Sequence, residues 1–202
     1  MQLSGGNMIY SFDDLRIKFQ DHTDIKGKIR REVQAGRLIP VTRGLYETDQ
    51  TISGKYLAGR IYGPSYLSFE FALYTYSLIP EAVYNTFTSA TFDKRKAKKH
   101  QNHFGVFTYR DVPAEVYPLE VVIHQENGYS YQIATPEKAL CDKLYTISPV
   151  RNLTELKELL FDDLRIDQDE FAKLDQKTLE QLAPLYHSTN LDLLAKLVRR
   201  NT

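Results

Sequence analysis

The chain of 202 residues is 42% hydrophobic and 12% aromatic, a composition that describes a folded globular protein and excludes a disordered one. Its single cysteine, Cys141, excludes a disulfide framework and a thiolate metal cluster and suits a reducing cytoplasm. No segment approaches the roughly 20 apolar residues of a membrane helix. Residues 1–10 lack the basic and apolar regions of a signal peptide, so we expect a cytoplasmic protein without a membrane partner.

The charge of the chain is balanced overall but unevenly distributed. The 26 basic and 26 acidic residues give a net charge of zero. Residues 23–46 hold six basic and two acidic side chains, a net charge of +4, whereas residues 151–192 hold five basic and ten acidic ones, a net charge of −5. A basic front and an acidic rear present two electrically different surfaces to partners.

A short helix is predicted directly after Ser11. The Ser11 hydroxyl is suited to accept hydrogen bonds from the free amides of a first helical turn. Phe12, Leu15 and Phe19 recur at helical spacing, so we expect them to form the buried stripe of this helix. A polar segment at residues 20–23 follows and separates this helix from the next one.

A second helix is predicted over residues 24–35. Ile25, Ile29 and Val33 recur every four residues and therefore line one face, which we expect to be buried. At about 100° per residue, the opposite face carries Gly27, Arg30, Arg31 and Gln34. Gly36 is suited to end the helix, because glycine readily adopts the left-handed conformation that is common there.

The string GRLIPVTRGLY at residues 36–46 predicts a small β-hairpin. Residues 38–41 read as the first strand and residues 45–46 as the second, with a tight turn at residues 42–44 between them. Two helices followed by a hairpin is the order of a winged helix-turn-helix. We therefore predict that residues 1–50 form a DNA-binding domain.

This interpretation assigns a role to each polar residue of the segment. The second helix would enter the major groove and place Arg30, Arg31 and Gln34 near base edges, with Gly27 permitting a close approach. Contacts to phosphates, which position the protein without reading sequence, would come from Lys26, Lys28, Arg37 and Arg43. Thr42 and Gly44 complete the candidate site in the hairpin turn. The alternative is that the basic helix face is only a solvated surface.

Residues 51–202 are predicted to form a mixed α/β domain, which makes the chain α+β overall. A helix is predicted over residues 65–74. Four segments rich in β-forming residues then predict a small antiparallel sheet, at 82–91, 104–109, 119–124 and 129–133. Thr135 and Pro136 are typical of the start of a helix. From about residue 151 the pattern is that of a helical tail.

The densest basic segment covers residues 93–100, between two of the predicted strands. It offers a second candidate surface, for nucleic acid or for a protein partner. Its members are Lys94, Arg95, Lys96, Lys98, Lys99 and His100. The alternative is a mobile, solvated loop.

Catalytic interpretations have little support in the sequence. It contains no phosphate-binding glycine loop, no zinc-type spacing and no nucleophile elbow. His100 and His103 lack a nearby carboxylate or thiolate, so we expect no metal site and no cofactor. Asp142, Glu155 and Lys157 match the residue types of a nuclease, but Glu155 and Lys157 fall in a predicted helix and not on the adjacent strands that such a site uses.

Tyrosine is abundant, with 14 copies in the chain. Aromatic side chains stack on bases in some nucleic-acid-binding proteins. More often, tyrosines pack in a core with their hydroxyls reaching the surface. We therefore expect core positions for Tyr62, Tyr66, Tyr74 and Tyr76, and for Cys141 as a small apolar residue.

Four strings resemble AbiEi-type antitoxins, the regulator half of abortive-infection type IV toxin–antitoxin pairs: AGRLIPVTRGLY (35–46), YLAGRIYGPSYLSFEFALYTYSLIP (56–80), TSATFDKRK (88–96) and ATPEKALCDKLY (134–145). The second string carries an S-x-x-x-A-L signature at Ser68, Ala72 and Leu73. The resemblance covers about residues 30–145 and depends on the order and spacing of short motifs. The region before Asp24 is shorter than in a three-helix winged helix, and the acidic tail after Arg151 matches no motif.

The resemblance implies a transcriptional repressor that is also an antitoxin, without enzymatic activity. Its winged helix would bind double-stranded DNA at inverted repeats in its own promoter. Residues 51–202 would oppose a nucleotidyltransferase-like toxin without forming a stable complex. Two alternatives stay open: a stand-alone winged-helix transcription factor whose second domain senses a ligand or protein, and a nuclease-like enzyme.

Overall fold

A computed structural model describes residues 8–81 and 84–201 of the chain. Residues 1–7 of the predicted first domain and residues 82–83 of a predicted strand lie outside the described residues. The N-terminal part contains β1 (Tyr10–Ser11), α1 (Phe12–Lys18), α2 (Ile25–Gln34), β2 (Ile39–Thr42) and β3 (Leu45–Glu47). Its three strands form an antiparallel sheet in the order β1–β3–β2.

Local signals in the sequence explain these elements. Ser11 caps α1 reciprocally with Asp14, whose amide donates to the Ser11 hydroxyl over 3.1 Å while its carboxylate accepts from the Ser11 amide at 2.7 Å. Asp24 caps α2. Gly36 and Gly44 adopt φ angles of +68° and +77°, which glycine tolerates because it has no Cβ.

The chain continues with a single 3-10 turn (Gly54–Tyr56), α3 (Ala58–Ile61), β4 (Tyr66–Leu67), α4 (Phe69–Thr75), β5 (Thr86–Thr91), β6 (Lys98–Asn102), β7 (Gly105–Asp111), β8 (Val121–Glu126) and β9 (Tyr129–Ala134). The last six strands form one sheet in the order β6–β7–β5–β4–β9–β8. Strands β5 and β7 are parallel, as are β4 and β9, and the other pairs are antiparallel. The prediction of a small antiparallel sheet was therefore wrong, and part of the predicted helix at 65–74 is β4.

The C-terminal part is helical, as its pattern predicted. Helix α5 (Pro136–Tyr145) begins after a cap by Thr135, with Pro136 at its first position. The following helices are α6 (Leu153–Glu158) with a π-helical extension (Leu159–Asp163), α7 (Gln168–Ala172), α8 (Gln176–Leu182) with a 3-10 turn (Ala183–Tyr186), and α9 (Thr189–Asn201). Within the described ranges, no helix combines the length and the apolar composition that a bilayer crossing requires.

Two apolar clusters hold the fold together, and the β2–β3 hairpin contributes to both. The smaller cluster contains Leu15, Phe19, Ile29 and Leu38, with Tyr46 packed against it. The larger one joins the six-stranded sheet to α4, α5, α8 and α9, and it includes Val41 of β2. The Tyr129 hydroxyl also donates to the buried Glu47 carboxylate of β3 over 3.1 Å. The boundary predicted near residue 50 therefore separates two parts that are packed against each other.

Candidate nucleic-acid interface

Helix α2 has one buried face and one exposed face, as its pattern predicted. Ile29 is 5% exposed and belongs to the smaller apolar cluster, and Ile25 and Val33 are partly buried against the same cluster. The opposite side carries the exposed side chains Arg30, Arg31 and Gln34, and Lys26 is exposed at the start of the helix. The cationic face of the helix therefore lies on the surface of the protein.

The turn of the β2–β3 hairpin lies on the same surface as the start of α2. A shallow depression of about 510 Å³ is lined by Phe12, Lys26, Ile29, Arg43, Gly44 and Tyr46. The Phe12 amide donates to the Gly44 carbonyl over 2.7 Å and so attaches the turn to the start of α1. Thr42 is partly buried and Arg43 is exposed. The structure thus brings one exposed cation of the helix, Lys26, and one of the hairpin turn, Arg43, to the same depression.

Four of these cations are unpaired in the part of the chain that the structure describes. No carboxylate lies within 4.0 Å of the charged groups of Lys26, Arg30, Arg31 and Arg43. Their charges are available to an external anion. The other two predicted cations of this segment, Lys28 and Arg37, are paired with a carboxylate.

Lys28 and Arg37 both pair with Glu32, a residue for which the sequence predicted no role. Glu32 is 4% exposed; the Arg37 Nε and the Lys28 Nζ lie 2.5 Å and 2.8 Å from its carboxylate oxygens. The hydrogen bonds from Arg37 are the main cause that lowers the pKa of Glu32 to about 2, while burial acts in the opposite direction. The i,i+4 spacing of Lys28 and Glu32 is a signal that could have indicated one of these pairs. Both cations therefore stabilise the end of α2, and their charges are only partly available to an external anion.

Gly27 has an internal role at the start of α2. Its amide donates to the Asp24 carboxylate over 2.8 Å. A Cβ atom at this position would lie 1.9 Å from Asp24 Oδ2, so a side chain here would displace the capping carboxylate. A close approach of α2 to DNA is therefore not needed to explain this glycine.

The basic segment at residues 93–100 is not a loop throughout. Lys98, Lys99 and His100 belong to β6, which pairs with β7 at one edge of the six-stranded sheet. Exposed cations of the segment are Arg95, Lys96, Lys98 and Lys99. Lys94 is partly buried, with its ammonium 5.5 Å from the centre of the Tyr62 ring and 3.3 Å from the Gly63 carbonyl oxygen. The loop alternative is thus wrong for the second half of the segment.

His100 is less exposed than the cations of the segment that precede it in β6. Its ring is partly buried, with its centre 6.2 Å and 6.1 Å from the ring centres of Tyr62 and Tyr109. Burial lowers the pKa of His100, and the positive charge of Lys98 acts in the same direction. His103 is exposed. No group of three or more His, Cys, Asp or Glu side chains suited to a metal occurs in residues 8–81 and 84–201.

Asp142 is completely buried within a polar network. Its Oδ2 accepts hydrogen bonds from Ser68 at 2.7 Å and from Tyr66 at 3.0 Å. Its Oδ1 accepts from Tyr186 at 2.5 Å and lies 3.2 Å from the Lys138 ammonium. Burial lowers the pKa of Lys138, and the Asp142 charge opposes this effect. The network satisfies the carboxylate internally and leaves it no access to solvent.

The nuclease-like set is not assembled in the described part of the chain. Asp142 is buried in α5, Glu155 accepts a hydrogen bond from the Arg151 amide over 2.9 Å at the start of α6, and Lys157 is exposed on that helix. The expected core positions of Cys141, Tyr62, Tyr66 and Tyr76 are confirmed, since each is buried or packed against the larger cluster. Tyr74 is 50% exposed, so its expected core position is wrong.

Comparison with known proteins bears on the fold. No family model matches the sequence, and no curated protein matches it. The structure is similar to that of the RV2827C protein from Mycobacterium tuberculosis, with a TM-score of 0.51 and 13% sequence identity; the match covers 94% of this chain and 76% of that chain. The chain is therefore a mixed α+β protein that shares its fold with this mycobacterial protein over nearly its whole length.

Proposed function

We propose that this protein is a transcriptional regulator that binds double-stranded DNA through residues 8–50, folded as a winged helix-turn-helix. The observation that carries the proposal is the set of exposed, unpaired cations on α2, of which Lys26 lines the same depression as Arg43 of the β2–β3 hairpin turn. The order of two helices and a hairpin, with β1 paired to β3, supports the winged-helix interpretation. In this arrangement α2 would enter the major groove and the hairpin would lie along the DNA backbone.

The exposure of individual side chains supports a division of roles. Arg30 and Arg31 would contact base edges, because a guanidinium can donate two hydrogen bonds to guanine, and Gln34 would act similarly on adenine. Lys26 and Arg43 would contact phosphates, which adds affinity without reading sequence. Lys28 and Arg37 would contribute less, because both pair with Glu32, whose carboxylate offsets one of their two charges.

A mobility-shift assay with the protein's own promoter fragment and a random duplex of equal length tests this proposal. Replacing Arg30 and Arg31 by alanine is expected to reduce the preference for the promoter by about 1–3 kcal/mol for each lost bidentate contact. The matched control replaces Lys177 and Lys196 by alanine; both are exposed, on α8 and α9. This control variant is expected to keep the parent's preference for the promoter. If the variant without Arg30 and Arg31 kept the parent's preference for the promoter, α2 would not be the helix that recognises the DNA sequence.

We further propose that the regulator is the autorepressing antitoxin of a type IV abortive-infection system. The support is the resemblance of the strings at residues 35–46, 56–80, 88–96 and 134–145 to AbiEi-type antitoxins. The functional partner would be a nucleotidyltransferase-like toxin encoded beside it. Co-expression tests this role: the protein is expected to restore the growth of cells that produce the neighbouring toxin. If the protein binds its promoter but does not restore growth, it is a stand-alone regulator and not an antitoxin.

A further inference from the structure

We propose that a second copy of this chain pairs with the edge strand β8, in an antiparallel and two-fold symmetric arrangement centred on Val122. The six-stranded sheets of the two copies then join into one continuous sheet. The proposal concerns the assembly of the protein and does not depend on the proposed binding of DNA.

Strand β8 is the last strand of the six-stranded sheet, and its side chains are exposed on both faces. Val122 is 38% and Ile123 is 65% exposed, and residues 124–126 are exposed as well. Because successive side chains of a strand point to opposite faces, a helix or loop packed on either face would bury every second residue. Within residues 8–81 and 84–201, no further strand pairs with the outer side of β8.

The free edge presents the backbone groups of Val121, Ile123 and Gln125. The Thr135 amide donates to the Glu120 carbonyl over 2.9 Å, so Glu120 faces β9. In an antiparallel ladder every second residue faces the same neighbour. The even-numbered residues of β8 therefore face β9, and the odd-numbered ones direct their N–H and C=O groups outward. No described residue forms a backbone hydrogen bond with these outward groups.

Strand β8 lacks the features with which proteins prevent edge-to-edge pairing. Protected edges carry lysine, proline or a β-bulge. Strand β8 contains neither of these residue types, and its register with β9 is regular throughout. Its one carboxylate, that of Glu126, is bound to the Lys55 ammonium and to the Tyr56 hydroxyl. The edge is therefore open to an antiparallel partner.

The sequence of β8 is complementary to itself in one register. Because two copies present the same edge, outward-facing residues must oppose each other, which centres the pairing on a residue opposite its own copy. With Val122 opposite the partner's Val122, Val121 lies opposite the partner's Ile123 and the reverse. All central pairs then join two apolar side chains. The Val121 and Ile123 pairs also exchange both of their backbone hydrogen bonds.

The polar residues agree with the same register. Glu120 lies opposite the partner's His124, so that a carboxylate meets an imidazole that can donate a hydrogen bond. Stacking on Tyr131, with ring centres 5.5 Å apart, already positions the His124 ring. A register centred on Ile123 would instead place Glu120 opposite the partner's Glu126, and like charges that are directly opposed destabilise a strand pair. Charge complementarity therefore favours the centre at Val122.

An exposed edge can also accept an extended segment of a different protein. Such a segment requires the free backbone groups of β8, but it requires no symmetry in the side chains of β8 itself. The order of acid, apolar residues and histidine about Val122 is complementary only when the partner has the same sequence. The occupant that this order favours is therefore a second copy of the chain.

Sedimentation velocity of the full chain without DNA, over a range of concentrations, tests the inference. Because each copy contributes one strand, we expect a small interface and a reversible dimer whose population rises with concentration. Ile123→Lys is expected to weaken dimerisation by roughly tenfold or more, since it brings an ammonium group into the interface twice. The matched control is Ile17→Lys on α1, where the isoleucine is 66% exposed. This control is expected to dimerise like the parent.

Disulfide crosslinking tests the register. Val122→Cys places two cysteines directly opposite each other, within the distance that a disulfide spans, so mild oxidation is expected to give a covalent dimer. Ile123→Cys is the control, because in this register its own copy lies diagonally, roughly 7–8 Å away, and is out of reach. The native Cys141 is buried and does not interfere. Non-reducing gel electrophoresis measures the yield.

The outcomes decide the inference independently of the proposed function. A parent that stays monomeric at every concentration, or an Ile123→Lys variant that dimerises like Ile17→Lys, would overturn it. Crosslinking through Ile123→Cys and not through Val122→Cys would overturn the register centred on Val122. None of these measurements contains DNA, so their failure leaves the winged-helix proposal standing, and the reverse also holds. A thermal melt shows whether each variant is folded.

Discussion

The Arg37 guanidinium donates two hydrogen bonds to the Glu32 carboxylate across the end of α2, with Nε–Oε2 and Nη2–Oε1 distances of 2.5 Å and 3.0 Å. The Arg37 and Leu38 amides also donate to the Glu32 carbonyl, at 3.0 Å and 3.3 Å. A two-bond arginine–carboxylate pair restricts direction as well as distance. These contacts therefore hold the turn at Gly36 and, through it, the position of the hairpin beside the helix.

Glu32→Gln is expected to reduce stability and increase DNA affinity. The loss of charge-assisted hydrogen bonds should lower the free energy of unfolding by about 1.5–3 kcal/mol, measured by urea denaturation. The same change frees the charges of Lys28 and Arg37, so affinity for a random duplex at low salt should rise. Asp163→Asn, an exposed change of equal charge at the end of the π-helical turn, serves as control. A fall in both stability and DNA affinity would contradict this role of Glu32.

The Glu32 pair also predicts a pH dependence. The pKa of Glu32 is about 2 in the folded protein against 4.5 for an unperturbed glutamate. Because the folded pKa is the lower one, its stabilising contribution is fully present above pH 4.5 and is lost as the pH falls towards 2. The difference in unfolding free energy between the parent and Glu32→Gln should therefore shrink below pH 4.5. A constant difference across this range would refute the lowered pKa.

The buried Lys138–Asp142 pair predicts a strong and non-additive effect on stability. Replacing Lys138 by methionine leaves the Asp142 charge buried without its cation, which should cost about 3–5 kcal/mol in unfolding free energy. The double variant Lys138→Met, Asp142→Asn leaves no buried charge and should cost less than the sum of the single changes. Urea denaturation of the three variants measures the coupling. Additive losses would show that the two charges do not depend on each other.

Gly36→Ala isolates the cost of a backbone conformation. The φ angle of Gly36 is +68°, and a Cβ atom there would meet no other atom within 4 Å. The expected loss of about 1–2 kcal/mol in unfolding free energy thus comes from the left-handed conformation and not from a clash. Gly36→Asn should lose less, because asparagine adopts this conformation more readily. Equal stability of the parent and the alanine variant would mean that Gly36 is not what ends α2.

Arg43→Gln distinguishes a phosphate contact from a base contact. If the hairpin turn contacts the backbone, the variant should bind the promoter fragment and the random duplex with equally reduced affinity. The slope of log K against log salt should fall by about 0.9. Anisotropy titrations on both duplexes at several salt concentrations measure these quantities. A selective loss of promoter binding would instead place Arg43 at a base edge.

Some elements were predictable because their signals are local. The capping serine before α1, the apolar repeat of α2 and the glycine after it each involve residues only a few positions apart. Strands β4 and β6 were not predicted, for two different reasons. Tyr66–Leu67 is too short to show alternation, and Lys98–Asn102 is too polar to indicate a strand. β4 is a strand because the distant strands β5 and β9 supply its backbone hydrogen bonds, whereas β6 pairs with β7, which directly follows it in the chain.

The sequence alone determined the N-terminal helices and hairpin, the cationic face of α2, and the helical character of the C-terminal part, since these depend on hydrophobic period and caps. Only the tertiary structure decided that Asp142 is enclosed by the hydroxyl groups of Tyr66, Ser68 and Tyr186. It also decided that Asn102 meets Val41, 61 positions earlier, so that β6 lies beside the hairpin. Contacts between such distant residues have no local pattern, because they arise from packing that minimises exposed apolar surface over the whole chain.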